Sequence, residues 1–235
     1  MNLLSIGNDS KTVKGEKLGY LTGVQYLAPS NVSGVINTCP NASNGCREAC
    51  LFTAGRAGVF KMINEARINR TVLFTNDITA YFDTLTKNIT ALINKATKNN
   101  LVPTVRLNGT SDIAWENYKR LDGKNVFEAF PHIQFYDYTK SFKRMMVYLN
   151  GKMPSNYHLT FSRSESNDAQ CIEVLKNGGN VAVVFEKTLP SNYLGYNVVN
   201  GDLSDLRFSD EKNVIVGLKS KGKARNDTSG FMVAA

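Results

Sequence analysis

The sequence predicts an α/β fold, a closed or partly closed parallel barrel of about six or seven strands. Three observations carry that expectation. Short apolar runs alternate with helical patterns along most of the chain. The runs are nearly continuous rather than alternating, as in strands covered on both faces. So many strands within one domain favour closure over an open sheet. At 235 residues the chain can bury one sizeable core, so residues 1–235 read as a single domain. Residues 1–31 lack a clear period and read as a peripheral N-terminal arm or short hairpin.

The elements follow in order. Val32–Asn37 reads as a short first strand that ends near the first cysteine. From about Val59 to Lys98 the pattern is helical. Within it Ile78, Tyr81, Phe82, Leu85, Ile89, Leu92, Ile93 and Ala96 recur at helical spacing and define one buried face. Asn99-Asn100 stops that helix, and Val102–Leu107 reads as a strand. Trp115–Leu121 reads as a short helix and His132–Tyr136 as a strand. Ser141–Leu149 is helical, Tyr157–Phe161 a strand, and Asp168–Lys176 a helix closed by Gly178-Gly179. Val181–Phe185 is the most apolar strand, with Tyr196–Val199 and Val214–Leu218 after it. No Gly-x-Gly-x-x-Gly follows any strand, so nothing supports a dinucleotide fold.

A hydrophobic fraction of 42% and a charged fraction of 20% suit a soluble globular protein. No apolar run approaches the roughly 20 residues that cross a bilayer, so no membrane partner is expected. The first residues are too short and too soon polar for an export signal. The expected compartment is therefore the cytoplasm, where clustered cysteines bind metal or react more often than they form disulfides. The net charge of +8 suits an anionic partner, nucleic acid most simply, or serves solubility alone. Basic residues cluster at Lys219, Lys221, Lys223 and Arg225, and again at Lys140, Lys143 and Arg144.

The most informative feature is Cys39, Cys46 and Cys50, spaced C-x6-C-x3-C between polar flanks. Three thiolates around one point leave one coordination position open, the arrangement of a reactive metal site. Thiolates favour zinc or an iron–sulfur cluster. Cys171 sits in the middle of a helical pattern and reads as core. In a parallel barrel the ligand lies at the C-terminal strand ends. The residues just after each strand are therefore candidates. Asp112, Asp137 and Lys140 are the catalytic candidates, and Arg106, Tyr136, Tyr138, Asp202, Lys219 and Lys221 the substrate-binding ones.

Four segments carry a resemblance: Asn37–Pro40, Cys46–Cys50, Val105–Asp112 and Phe135–Lys140. Together they resemble the bacteriophage family named after gene product 88, whose members look like relatives of radical S-adenosylmethionine enzymes. The resemblance implies a cluster, 4Fe-4S, held by Cys39, Cys46 and Cys50, with S-adenosylmethionine on the open iron. Gly109-Thr110-Ser111-Asp112 takes the place of the Gly-Gly-Glu-like motif after the second strand. Ser111 and Asp112 would then meet the cofactor amino group, and Asn108, Gly109 and Ser162 would complete that site. The cysteine spacing departs from the C-x3-C-x2-C of those enzymes. The implied function is a phage iron–sulfur enzyme acting on a small molecule or nucleic-acid component in the infected cell's cytoplasm. Two alternatives remain. One is a nucleic-acid-binding protein braced by a structural cluster or zinc, using Tyr136 and Tyr138 for base stacking. The other is a magnesium-dependent hydrolase built on Asp112, Asp137 and Asp202.

Overall fold

Nine strands pair side by side into one mixed sheet in the computed structural model, which describes residues 1–7 and 10–234. The first half contains β1 (Leu4–Ile6), α1 (Ser10–Glu16), β2 (Tyr20–Gln25), α2 (Asn44–Glu48), α3 (Gly55–Val59), α4 (Lys61–Asn76), α5 (Ile78–Lys98) and β3 (Val102–Arg106). The second half alternates more regularly. It runs α6 (Val126–Ala129), β4 (Gln134–Thr139), α7 (Phe142–Leu149), β5 (Tyr157–Ser162), α8 (Asp168–Lys176) and β6 (Val181–Phe185). It ends with β7 (Asn192–Tyr193), β8 (Tyr196–Asn200) and β9 (Ile215–Lys219). The spatial order is β1-β2-β3-β4-β5-β6-β9-β8-β7. Strands β2 to β6, β9 and β8 are parallel, while β1 and β7 pair antiparallel at the two ends.

Helix α5 shows why the layers form. Tyr81, Phe82, Leu85, Ile89, Leu92 and Ala96 fall on one face, and all are buried against β2 and β3. Burial of each large side chain contributes about 1.5–3 kcal/mol relative to exposure. Asp77 caps the helix by accepting the Ala80 N–H at 2.9 Å. Ser141 caps α7 in the same way through the Arg144 N–H. Helix α8 and strand β6 span the residues that the sequence pattern marks. No helix among the described residues is long and apolar enough to cross a membrane.

The barrel expectation is overturned. The sheet is open, and no pairing joins β1 to β7 among the described residues. Its short antiparallel edge strands occupy the hydrogen-bonding positions that closure would need. Side chains bridge part of the gap instead: Lys11 of α1 pairs with Asp202 beyond β8 at 2.9 Å. Residues 1–31 are also more than an arm. β2 is a central parallel strand, in register with β3 from Tyr20↔Val102 to Val24↔Arg106.

Val32–Asn37 is not a strand. Ser30 and Gly34 take positive φ values of 47° and 75°, and the Val32 and Gly34 N–H groups close successive turns. Val32 and Val35 are exposed and only Ile36 packs against the core, so that apolar run buries no continuous strand face. Trp115–Leu121 shortens to a single tight turn, Trp115–Asn117, because the indole is drawn into the core.

Gly23 explains why β2 escapes a pattern reading. A side-chain carbon there would lie 3.0 Å from Leu92 Cδ2 and 3.2 Å from Leu4 Cδ1, so α5 packs directly on bare backbone. Gly23→Val is expected to cost about 1–3 kcal/mol through overpacking. In urea unfolding this lowers the midpoint at unchanged slope. A midpoint equal to that of the parent chain would contradict the close approach.

Candidate functional site

The C-terminal ends of the parallel strands share one rim, where open α/β sheets bind ligands. Two loops meet there. The loop after β2 carries the cysteines, and Thr38 anchors it: its hydroxyl donates to Ala28 O at 2.6 Å and its N–H to Ser30 O at 3.1 Å. The loop after β3 is tied to the first by the Asp112 N–H on Thr38 O and the Cys39 thiol on Thr110 O.

Cys46 rides on the one-turn helix α2. Ser43 caps it through the Cys46 N–H, and Glu165 clamps it by accepting from the Ser43 hydroxyl at 2.6 Å and the Gly45 N–H at 2.9 Å. Any side chain at Gly45 would collide with Ser229 and Phe231 of the C-terminal segment, so only glycine fits there. Arg163 holds that segment by donating to the Gly230 and Phe231 carbonyls at 2.7 and 3.0 Å.

The cavity between these parts has a volume of about 750 Å³, within the range of small-molecule sites. Cys39, Cys46 and Cys50 all line it, and none of them is in a disulfide. Arg106, Asn108, Gly109, Ser111 and Asp112 face it from the β3 end, and Tyr138, Lys140 and Ser162 from β4 and β5. Asp202, Lys219 and Lys221 close the far wall. The sequence thus locates most of the rim. Several of these side chains are nonetheless committed to the fold. Asn108 accepts from Ser111 Oγ, the Ile113 N–H and Trp115 Nε1, and it donates to Ile113 O. Gly109 is needed because a side chain there would lie 2.6 Å from both Gln25 O and the Tyr26 ring.

Asp137 and Tyr136 do not line the cavity. Asp137 is completely buried and accepts from the Asn108 N–H at 2.7 Å, Asn108 Nδ2 at 3.3 Å and Tyr157 OH at 3.0 Å. For Asp137 strand alternation decides this: its side chain points to the face opposite that of Tyr138. Asp137 is therefore not a catalytic group of this cavity. The magnesium triad fails with it, since Asp112 pairs with Arg144 and Asp202 with Lys11 and Lys221. Tyr136 is buried against Phe208, and Arg106 covers the Tyr138 ring at 4.7 Å, so neither ring is free to stack on a base. Arg144 is likewise internal, forked onto Glu116 at 2.7 and 2.8 Å.

The thiols are close enough to raise one another's pKa. Burial pushes Cys39 and Cys46 up and takes Cys50 up to about 11, with neighbouring sulfurs adding to it at Cys39 and Cys50. Metal-free, they are neutral thiols at pH 7 rather than poised nucleophiles. A metal would replace those protons. Among the described residues no three His, Cys, Asp or Glu side chains stand ready to hold one ion between them. A cluster gives each thiolate its own iron. Cys171 is a core residue, fully buried in α8.

Sequence reasoning missed Lys11, Arg67 and Asp205, which also line the cavity. For Arg67 a signal existed: with Thr71 and Phe74 it forms the buried i, i+4, i+7 face of α4, an odd place for an arginine.

A family model described as gene product 88 matches residues 2–235. The chain belongs to this family, a family of bacteriophage proteins. No curated protein and no solved structure matches it. Membership supplies a lineage for the cavity and leaves its chemistry to the residues.

Asp137 gives a pH test of this family member's fold. Burial raises its carboxyl to about 7 from 3.8, against the pull of the Arg106 guanidinium and the Asn108 N–H. The folded state therefore holds this proton more tightly than the unfolded state does. That contribution is complete at low pH and is lost as pH rises from about 4 through about 7. Asp137→Asn should flatten this part of a denaturation-midpoint profile. An unchanged profile would show that another group sets it.

Proposed function

We propose that Cys39, Cys46 and Cys50 hold an iron–sulfur cluster whose open iron faces the cavity, and that the protein is an enzyme acting on a small molecule bound there. One observation carries this reading: three free thiols line one small-molecule-sized cavity at the sheet's C-terminal rim. When bound, such a cluster supplies an iron with Lewis-acid and one-electron character.

The chain's own groups do the rest. Glu165, Ser43 and Thr38 fix the backbone of the cysteine loop. Phe231 covers the rim beside Lys140, whose ammonium lies 5.1 Å from its ring centre, and shields that side from water. Lys140 Nζ donates to Arg163 O at 2.9 Å and lowers the pKa of Cys46. It is the cation placed to orient a substrate next to that sulfur.

S-adenosylmethionine does not enter this reading. Ser111 is spent on Asn108 Oδ1, and the Asp112 carboxylate accepts from Arg144 Nη1 and the Lys140 N–H. The groups that would meet its amino end are thus satisfied internally.

Anaerobic purification with iron, sulfide and zinc analysis tests the proposal. Iron with matching sulfide and broad visible absorption is the expected result. Serine at any one of the three positions should remove most of the iron, because a hydroxyl is a poor ligand for soft metals, whereas Cys171→Ser should retain it. Stoichiometric zinc would replace the cluster by a structural ion. Retention of iron in all three single variants, or its absence from the parent protein, would end the idea.

A further inference from the structure

Arg67 is a buried cation of the rim cavity without a carboxylate partner among the described residues. Its residue is only 6% exposed, yet it lines the cavity wall. Among the described residues, Nε and Nη1 have no hydrogen-bond partner, and no carboxylate pairs with the guanidinium. Aromatic rings hold it in place: Tyr26 at 5.1 Å and Phe52 at 5.5 Å from the guanidinium carbon. Cation–π contacts are worth about 0.5–2 kcal/mol, less than the desolvation penalty of a buried ion.

Four other cations of the cavity contrast with it. Arg106 pairs with Asp205 at 3.0 Å, and Lys11 and Lys221 pair with Asp202 at 2.9 and 3.3 Å. Arg70, one helical turn further on, donates to the Asn2 and Tyr26 carbonyls at 2.9 and 3.4 Å. The buried guanidinium leaves two strong donors, Nε and Nη1, without acceptors, and a buried unpaired group of this kind calls for an explanation.

We propose that Arg67 binds the oxyanion, phosphate or carboxylate, of the small molecule that occupies the cavity, placing that ligand's charged end beside Cys50. This rests on the reading of the cavity as the substrate site. Cys50 lines the same cavity and lies two residues from Phe52, whose ring the Arg67 guanidinium covers at 5.5 Å. A guanidinium is the side chain whose planar fork matches both kinds of oxyanion. Tyr26, Leu51 and Met62 line the same wall, Leu51 and Met62 largely exposed. They offer an apolar or planar ligand body a surface next to the anionic end. The substrate class is therefore an amphiphilic small molecule with one oxyanion, held by its head rather than by its body.

Calorimetric titration of the anaerobically purified full chain with inorganic phosphate alone and with acetate alone tests the assignment. Ionic strength and pH are held fixed. Saturable binding of at least one probe is expected, and the preferred probe identifies the oxyanion. Arg67→Gln should weaken it at least tenfold, while the surface variant Lys176→Gln should not change it. If circular dichroism shows that Arg67→Gln does not fold, Arg67→Lys serves in its place. Keeping the charge but losing the fork, it should bind several-fold more weakly. Equal affinity in the Arg67 variant, or no saturable binding by the parent chain, would overturn the proposal. Iron content, measured on the same samples, reports separately on the cysteines. A chain without iron that still binds the probe through Arg67 would refute the cluster alone.

Discussion

The buried carboxylate of Asp137 is the tie on which the rim depends. It sits on β4, accepts from the Asn108 backbone and side chain at the end of β3, and accepts from Tyr157 of β5. Three neighbouring strands are thus fixed at the end where the ligand cavity opens. Asn108 passes the constraint outward, gathering Ser111, Ile113 and Trp115 around its amide. The loop so fixed presents Thr110 O to Cys39 and the Asp112 N–H to Thr38. The position of the first cysteine is therefore set by a carboxylate that does not touch the cavity. Removing one partner from such a satisfied network leaves buried donors unpaired, at about 1–3 kcal/mol each.

A second constraint comes from the two ends of the chain. Strand β1 and helix α1 guard one edge of the sheet, and Val233 forms a bridge to Phe185 of β6. Residues 229–231 then press on Gly45, and Phe231 packs with Ala49 and Ala224 in a small cluster of its own. The cysteine loop is thereby held from below by the β3 loop and from above by the C-terminal segment. A site made from segments so distant in sequence forms only when the sheet is complete. Its geometry is a property of the fold rather than of a local motif.

Much of this was legible because apolar period and length decide buried elements. The face of α5, the helix at Ser141–Leu149, the span of α8 and the run of β6 all follow from one window of sequence. Strand β2 was hidden because Thr22 and Gln25 are buried polar residues and Gly23 is bare. Their role is to bond across the sheet and admit α5, Thr22 to Thr104 and Gln25 to Leu107 O. Val32–Asn37 misled because an apolar run in a turn looks like a strand until its exposure is known. Closure was not legible at all, because β1 and β7, of three and two residues, are too short to announce themselves. At the site, the strand-end rule found the rim but could not tell Asp137 from Tyr138. One residue of register separates core from cavity.

The charges around the cavity give the site its direction. Eight basic side chains line it against three carboxylates, a positive excess of five among the described residues. Ionising all three cysteines would still leave an excess of two. In the metal-free chain the thiols stay protonated because burial penalises each thiolate, and neighbouring sulfurs add to that at Cys39 and Cys50. The same surrounding cations that fail to ionise the thiols unaided would stabilise them once a soft metal removed the desolvation penalty. Thiolate ligation and an anionic ligand then draw on one positive field. Lys11 and Lys221 are neutralised locally by Asp202 and Arg106 by Asp205, whereas no carboxylate pairs with Arg67 among the described residues. Metal and substrate would meet there because that is the part of the wall the fold leaves uncompensated.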